Sequence, residues 1–302
     1  MAYVTIPQEK PKLVDRIAQG GFGTVYKALW NQQEVAAKRL SQDEGRHEVK
    51  FLSKLHHPNI VKLLGIFDDK VDFYILLELC DGGSLQSYLD AHRGTHLGLR
   101  FYDWAKQTAR PIVFLKTLHV VHKDIKASNY LITNGNILKL CDFGLAKDMD
   151  VTKSKATEAA SYAWMAPELL RDDTLSPTYD IYSYGVVVWE LWTTDIPFEG
   201  CEVPANLIWR ICNDNERPPI PRNCPKPIAD LLRQCWQIDW KQRPTMEQVM
   251  LMLISAEQFQ FIAGPWELER EFGYQHGPGK LREARNIAVC SKRRYRCGGQ
   301  LR

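Results

Sequence analysis

The sequence predicts an α+β protein with two lobes, a small β-rich lobe that contains one key helix and a larger, mainly α-helical lobe. Short β-type runs surround one helical pattern between residues 12 and 78, whereas helical spacing of apolar residues dominates after residue 80. A turn signal, Asp-Gly-Gly-Ser, occupies residues 81–84, where one pattern replaces the other. We therefore predict an N-terminal extension over 1–11, a first lobe over 12–80, a second lobe over 81–262 and a basic, flexible tail over 263–302.

Local patterns predict the individual elements of both lobes. β-type runs at residues 25–29 and 35–40 flank a turn signal at 31–33, and residues 74–77 form another apolar strand candidate. Apolar residues recur at helical spacing within residues 44–55, which predicts the helix of the first lobe. The same spacing predicts helices in the second lobe over residues 181–191, 228–235 and 246–254.

Composition narrows the class of protein. The chain has 302 residues, of which 45% are hydrophobic and 25% charged, so it can bury a substantial core. The net charge of +3 does not indicate a nucleic-acid or membrane partner. The eight cysteines are scattered without a C-x-x-C pair, which argues against a zinc site and favours reduced thiols in the cytoplasm. The first residues do not resemble a secretory signal, and the longest apolar stretch, residues 181–192, is too short to span a membrane.

Two features of the first lobe have the chemistry of a phosphate site. Residues 19–25, Gln-Gly-Gly-Phe-Gly-Thr-Val, form a glycine-rich turn whose backbone N–H groups could approach phosphate oxygens, although such a turn on its own is more often a simple hairpin. Lys38 ends an apolar strand and needs a partner, because an unpaired buried ammonium is costly. Glu48 on the following helix could supply that partner, and a surface ion pair is the alternative.

Two further motifs carry acids and an amide. Residues 122–129 read His-Lys-Asp-Ile-Lys-Ala-Ser-Asn, and residues 138–144 read Leu-Lys-Leu-Cys-Asp-Phe-Gly. Asp124, Asn129 and Asp142 could hold Mg²⁺ through oxygen ligands and orient a hydroxyl, since magnesium needs few protein carboxylates beside phosphate oxygens. Taken alone, Asp142 is more simply a turn residue before glycine.

In order and spacing these motifs resemble the protein kinase family over residues 13–253. Ala166-Pro167-Glu168, the segment around Asp180 and Arg243-Pro244-Thr245 extend the resemblance. The family's fold is bilobal, with an ATP and Mg²⁺ site between a β-rich N-lobe and a helical C-lobe.

The resemblance implies how ATP and Mg²⁺ would bind. Lys38, held by Glu48, would grip the α- and β-phosphates, while Asp142 and Asn129 would coordinate Mg²⁺. The other residues expected to contact the nucleotide are the phosphate-covering loop (Gly20, Gly21, Phe22, Gly23), the two sides of the adenine site (Val25, Ala36, Leu131), and the gatekeeper and hinge (Leu77, Glu78, Cys80).

The resemblance also implies the transfer step. Asp124 would orient the substrate hydroxyl and accept its proton, and Lys126, placed as in serine/threonine kinases, would steady the transferring phosphoryl group. Glu168 would pair with Arg243. A spine assembled in the active form would contain Leu52, His122 and Phe143.

Residues 161–168 and 184–191 resemble the tyrosine-kinase-like group. Within it, the chain is similar to MAP kinase kinase kinases of the mixed-lineage and TGF-β-activated type. This implies a protein substrate, with MAP kinase kinases as the candidates. No specific nucleic acid is expected from the basic cluster at residues 291–296, and the oligomeric state is left open.

The alternative is a pseudokinase, a fold that binds ATP or partners without turnover. The sequence departs from the family at Ala18, where a loop glycine is usual, at Lys123, where arginine is usual, and at Pro111 inside a predicted helix. The catalytic set is complete, which favours the enzyme. The candidate activation-loop phosphosites are Thr152, Ser154, Thr157 and Ser161. Cys141 is a candidate reactive thiol near Lys38, against the alternative of an inert buried thiol.

Overall fold

A computed structural model describes residues 10–20, 23–69, 71–151, 159–201 and 203–263. The chain divides into two compact units at Ala256, and of the second unit the structure describes only the end of the last helix. The first unit has the predicted bilobal α+β architecture, with a β-sheet lobe followed by a helical lobe.

The N-terminal lobe is a five-stranded antiparallel sheet with strand order β1-β2-β3-β5-β4. The turn between the second and third strands places Asn31 and Gln32 at positive φ, 50° and 62°, the conformation of a tight two-residue hairpin turn. The three predicted strand runs are confirmed. The strands are β1 (Lys12–Gly20), β2 (Gly23–Trp30), β3 (Gln33–Leu40), β4 (Leu63–Asp68) and β5 (Phe73–Glu78).

Helix α1 (Gln42–Leu52) packs against this sheet and confirms the predicted helix of the first lobe. Ser41 and Glu44 form a reciprocal capping box at its start, which satisfies backbone donors that would otherwise lack partners. Gly45 allows a close approach to the sheet, because a Cβ atom there would lie 2.2 Å from the Phe73 ring. The absence of a side chain at position 45 therefore lets α1 pack close against β5.

The C-terminal lobe is built around a buried central helix, α5, whose residues 179–192 are all buried. Each helix predicted for this lobe is confirmed, and the last extends beyond its predicted end at residue 254. The helices are α2 (Leu85–Ala91), α3 (Leu99–Thr117), α4 (Pro167–Asp172), α5 (Tyr179–Thr193), α6 (Pro204–Cys212), α7 (Lys226–Cys235) and α8 (Met246–Ala263).

Two short antiparallel strand pairs lie in the C-terminal lobe and border two of its loops. The strand β6 (Val120–Val121) pairs with β9 (Lys147–Asp148), and β7 (Tyr130–Ile132) pairs with β8 (Leu138–Leu140). These strands place the loops 122–129 and 141–146 side by side.

The segment between α1 and β4 is tied to β8 of the other lobe. Leu140 donates its backbone N–H to Asn59 O at 2.9 Å, and Val61 donates its N–H to Leu140 O, also at 2.9 Å. The Asn59 side chain adds a hydrogen bond to Leu138 O at 2.8 Å. These three hydrogen bonds join the segment to residues 138–140 of β8, and Asn59 Nδ2 also lies 3.4 Å from Gln107 Oε1 on the helical lobe.

Two of the residues at which the sequence departs from the family lie in regular secondary structure, and the backbone accommodates both. Pro111 lies inside α3, which continues on both sides of it. Ala18 lies in β1 opposite Val25 and has no positive φ, so its backbone does not require glycine. None of the described helices has the length and apolar character needed to cross a membrane.

Candidate active site

Lys38 is the centre of a buried ion-pair cluster between the lobes. Its Nζ lies 2.7 Å from Glu48 Oε2 and 2.9 Å from Asp142 Oδ1. These side chains come from β3, from α1 and from the loop after β8, and the exposed fractions of the Lys38 and Glu48 side chains are 7% and 2%. The structure therefore brings together three of the residues that the sequence singled out, 104 positions apart at the widest.

The cluster keeps Lys38 charged. Burial of the ammonium lowers its pKa, but the carboxylates of Glu48 and Asp142 outweigh that effect, and the net pKa lies above the ordinary value. A permanently charged ammonium in a buried position is what the binding of phosphate oxygens requires.

A second cluster surrounds Asp124. Lys126 Nζ lies 2.7 Å from Asp124 Oδ2, and Asn129 Nδ2 donates to the same oxygen at 2.8 Å and to Asp124 O at 2.8 Å. Lys126 also donates to Ser161 Oγ at 2.9 Å. The loop at residues 122–129 thus holds the Asp124 carboxylate with two side chains.

Backbone contacts join the two clusters. Cys141 donates its N–H to Asn129 O at 2.9 Å, and His122 Nε2 lies 3.1 Å from Cys141 O. Burial lowers the pKa of His122 to about 4, so the ring is neutral near pH 7. Nδ1 accepts the backbone N–H of Asp124 at 3.3 Å, which leaves the ring proton on Nε2. The His122 and Phe143 rings meet edge to face at 4.7 Å. These contacts therefore fix the loop that carries Asp124 against the loop that carries Asp142.

Asp180 at the start of α5 supports the loop from below, a role that the sequence reasoning did not assign to it. Its carboxylate accepts the backbone N–H groups of His122 at 2.7 Å and Lys123 at 2.9 Å. Lys123 has a φ of +72° and Asp142 one of +63°, backbone conformations that cost energy in residues other than glycine and gather at functional sites.

Of the residues expected around the adenine, Val25 and Ala36 lie on adjoining strands of the N-terminal sheet, and Leu131 lies on β7 of the helical lobe. In the sheet, Val25 pairs with Lys38 and Ala36 pairs with Leu77, while Leu131 on β7 forms a β-bridge with Ser84. All three candidate adenine-contacting side chains are partly exposed, as a ligand cleft requires.

The hinge and the glycine turn border the same region. Glu78 ends β5, where its carboxylate contacts Lys139 Nζ at 2.9 Å, and partly exposed Cys80 follows. Gly20 pairs with Gly23 across the turn, and a Cβ atom at Gly23 would lie 2.3 Å from Arg39 O. Gly21 and Phe22 lie outside the described residues.

Asn129 and Asp142 suit magnesium. Because Asn129 directs its amide nitrogen to Asp124, its amide oxygen is left for a cation. In the ranges that the structure describes, no group of three or more His, Cys, Asp or Glu could hold a metal ion. A Mg²⁺ ion here would take its other ligands from phosphate and water, as magnesium commonly does.

Comparison with known proteins identifies the family. The family model for protein tyrosine and serine/threonine kinases matches residues 12–253. The chain belongs to the protein kinase family. Kinases of this family use ATP and Mg²⁺, which agrees with the chemistry of the two clusters.

Several curated relatives of this kinase are MAP kinase kinase kinases. Mitogen-activated protein kinase kinase kinase 12 from Rattus norvegicus is 34% identical over 248 residues, which cover 82% of this chain and 28% of the relative. Mitogen-activated protein kinase kinase kinase 13 from Bos taurus is 32% identical over 82% of this chain and 25% of the relative. Mitogen-activated protein kinase kinase kinase 10 from Mus musculus is 32% identical over 87% of this chain and 31% of the relative. The chain thus spans about a third or less of these relatives.

A buried ion pair braces the C-terminal lobe of the kinase. Arg243 donates Nη1 and Nη2 to the two oxygens of Glu168, each at 2.7 Å, and the Arg243 side chain has no exposed surface. Ser176 Oγ donates to Glu168 Oε1 at 2.6 Å. The structure thus contains the pair that the resemblance implied, and the pair joins α4 to the segment between α7 and α8.

The structure of the kinase does not support the hypothesis that Cys141 is a reactive thiol. The residue is partly exposed, but desolvation of its thiol together with the neighbouring Asp142 carboxylate raises the thiol pKa well above the usual range, while Lys38 offsets only part of the effect. A protonated thiol is a weak nucleophile, so the alternative of an inert cysteine fits the structure better.

The candidate phosphosites of the kinase separate into two groups. Thr152, Ser154 and Thr157 lie outside the described residues. Ser161 is buried, with 2% of its surface exposed, and its hydroxyl accepts from Lys126. Ser161 therefore belongs to the site around Asp124, and access by another kinase would first require its exposure.

Proposed function

We propose that this kinase transfers the γ-phosphate of ATP to serine or threonine hydroxyls of a protein substrate. The observation that carries the proposal is the joint assembly of the Lys38 cluster and the Asp124 cluster across one cleft. A buried ammonium for phosphate, oxygen ligands for magnesium and a carboxylate for a hydroxyl are what phosphoryl transfer needs, since its transition state is loose and catalysis is mainly positioning and charge stabilisation.

In this mechanism Lys38 binds the α- and β-phosphates, and Glu48 keeps the ammonium aligned. Asp142 and Asn129 would hold Mg²⁺, which neutralises charge on the phosphates when bound. Asp124 orients the substrate hydroxyl and accepts its proton. Lys126, already 2.7 Å from the Asp124 carboxylate, stabilises the negative charge that develops on the transferring group.

The nucleotide base would lie between the lobes. Val25 and Ala36 would cover one face of adenine and Leu131 the other. Leu77 would be the gatekeeper, and the backbone of residues 78–80 would hydrogen-bond the base. The glycine turn from Gly20 to Gly23 would cover the phosphates.

Serine/threonine specificity is supported by Lys126 and by its contact with Ser161. The relatives' names support a substrate among MAP kinase kinases. We further propose lobe boundaries at 12–80 and 81–262. The described cysteines, including Cys80 and Cys141, are all free thiols, which supports a reducing compartment such as the cytoplasm.

The test is a radiolabelled-ATP assay of the purified chain with MAP kinase kinases and generic protein substrates, followed by phosphoamino-acid analysis. Asp124→Asn should cut turnover by about two to four orders of magnitude, because it removes the proton acceptor. Lys38→Met should lower turnover to a similar extent, because it removes the ammonium that binds the α- and β-phosphates. Asp214→Asn, the same chemical change at an exposed position, should leave turnover unchanged.

Radiolabelled phosphate on serine or threonine in the wild-type assay, and its loss in Asp124→Asn, would support the proposal. Label on tyrosine would contradict the specificity. A cleanly folded chain that binds ATP but transfers no phosphate to any substrate would contradict the enzyme and favour the pseudokinase.

A further inference from the structure

Basic side chains from three parts of the chain meet where residues 57–62 lie against the helical lobe. The ring of His57 stacks on the ring of Phe114 in α3, with the ring centres 5.2 Å apart and the planes 22° from parallel. Arg110 lies one helical turn before Phe114 and therefore on the same face of α3. Lys139 belongs to β8, to which the same segment is hydrogen-bonded.

Positive charge exceeds negative charge at this junction. Lys139 Nζ lies 2.9 Å from Glu78 Oε1, and the same oxygen accepts the backbone N–H of Lys62 at 2.7 Å. In the part of the chain that the structure describes, the side chains of Lys62 and Arg110 form no ion pair, and both residues are exposed. Asp103, a carboxylate on the same face of α3, lies about 10 Å along the helix from Arg110. The junction therefore keeps positive charge that these carboxylates do not neutralise.

The imidazole of His57 adds a hydrogen-bond donor to these charges. Its Nδ1 accepts the backbone N–H of Asn59 at 3.0 Å, so the proton of the neutral ring is on Nε2. Burial lowers the pKa of His57, and the charges of Arg110 and Lys139 lower it further, as expected for cations close to the ring. Near pH 7 the ring is therefore neutral, and it can donate through Nε2.

These donors have the chemistry of a phosphoryl site. We call the surface formed by the following four residues the basic surface: His57, Lys62, Arg110 and Lys139. We propose that the basic surface is a docking site for a phosphorylated segment of a partner protein. A phosphoryl group carries close to two negative charges and three acceptor oxygens, which suit a guanidinium fork, an imidazole N–H and ammonium groups.

The openness of the basic surface favours a protein segment over a small phosphorylated molecule. Small-molecule sites usually enclose most of the ligand, whereas Lys62 and Arg110 are exposed and His57 is partly exposed. Single-stranded nucleic acid is bound mainly by stacking of bases on aromatic rings, and His57 already covers one face of Phe114. A phosphorylated side chain on an extended segment needs only the exposed donors.

The basic surface is separate from the proposed catalytic groups. It spans residues 57–62, α3 and β8, so a docked segment would bind across the attachment of residues 59–61 to β8. The inference does not depend on turnover. If the wild-type chain transfers no phosphate, the proposed function fails, and docking can still be measured.

The binding test uses fluorescence anisotropy of a fluorescein-labelled peptide, Gly-Ala-phosphoserine-Ala-Gly, and of the same peptide without the phosphate. The full chain should bind the phosphorylated peptide at least about tenfold more tightly, since hydrogen bonds to charged groups are the strong ones. Arg110→Gln should weaken this binding about tenfold, and His57→Phe, which keeps a ring against Phe114, about threefold. Arg222→Gln, the same change at another exposed arginine, should leave binding within about twofold of wild type.

Two further measurements locate the bound peptide. Hydrogen–deuterium exchange should slow in residues 56–62 and 106–114 when the phosphorylated peptide is added to the wild-type chain, and it should not slow there in Arg110→Gln. Lys38→Met should bind the peptide as wild type does, because the basic surface does not include the buried Lys38 cluster.

Equal affinity for the two peptides would overturn the inference, as would a loss in Arg222→Gln or Lys38→Met that matches the loss in Arg110→Gln. Displacement of the peptide by an equal concentration of inorganic phosphate would show a site for a free anion and would also overturn docking of a segment. So would binding of vesicles that contain phosphatidylinositol phosphate by a chain that does not bind the peptide. Because Arg110 is exposed, Arg110→Gln tests the surface even if His57→Phe does not fold.

Discussion

Replacing Gly45 by alanine should separate two opposing effects in α1. In most helices this change stabilises, since alanine costs about 0.5–1 kcal/mol less than glycine in a helix interior. Here the new Cβ atom would lie 2.2 Å from Phe73 Cε1 and 2.3 Å from Cδ1. Ordinary contact begins at 3.4 Å, so α1 or the ring must move by about 1.2 Å. Phe73 is 4% exposed, which leaves the ring little room to turn away.

Overpacking of this size costs about 1–3 kcal/mol, so we expect a net loss of about 1–2 kcal/mol in the free energy of unfolding. The effect on activity should be larger than the effect on stability. Glu48 lies one turn after Gly45, and a shift of α1 by about 1 Å would break its 2.7 Å contact with Lys38. Misplacement of a catalytic group by about 1 Å can lower kcat/KM by about a hundredfold.

The assay pairs urea unfolding with kcat/KM for Gly45→Ala, Phe73→Leu and the double variant. Leucine is shorter than phenylalanine, so the double variant should recover activity that Gly45→Ala loses, and the two changes should not be additive. A Gly45→Ala protein as active as wild type and more stable would refute the packing argument. So would a double variant that loses the sum of both single effects.

Three further predictions follow from buried groups. Arg243→Leu should lower the free energy of unfolding by about 3–5 kcal/mol in urea, because Glu168 is left charged and buried, and a loss below 1 kcal/mol would contradict it. Since the folded pKa of Glu190 is about 8 and its ordinary value 4.5, the folded state keeps a proton that the unfolded state releases between these pH values. Stability should therefore fall by about 1.4 kcal/mol per pH unit as pH rises through that window, and Glu190→Gln should remove this slope in Tm measured against pH. Cys141 should resist alkylation by iodoacetamide at pH 7 with and without ATP, as mass spectrometry of the labelled peptide would show, and rapid labelling would contradict its raised pKa.

The sequence predicted the elements with a strong local pattern and the residues whose burial is costly. The apolar runs of β3 and β5 and the helical spacing of α1 and α5 are local signals, and the structure confirms them. Lys38 within an apolar strand required a partner, and the structure supplies Glu48 and Asp142.

Contacts between distant segments could not be predicted in this way. Glu190 and Trp164 are 26 residues apart in the chain. The apolar residues of α5 predict that the helix is buried, but they do not indicate which residue the Glu190 carboxyl contacts. The hydrogen bonds from His122 and Lys123 to Asp180 join backbone donors to a side chain, so no residue-type pattern marks both ends. The short strands β6 and β9 have two residues each, which is too few for a periodic signal.

We expect the attachment of residues 59–61 to β8 to influence how the lobes move. This segment follows α1 closely, and its hydrogen bonds to Leu138 and Leu140 keep the C-terminal end of α1 with the helical lobe. If the sheet tilts away from the helical lobe, we expect α1 to pivot about that end, so that its first turns travel furthest. Glu48 lies in the second half of α1, nearer the attached end than the capping box at Ser41. A small tilt would therefore move the start of the helix further than Glu48, yet it could still lengthen the contact between Glu48 and Lys38.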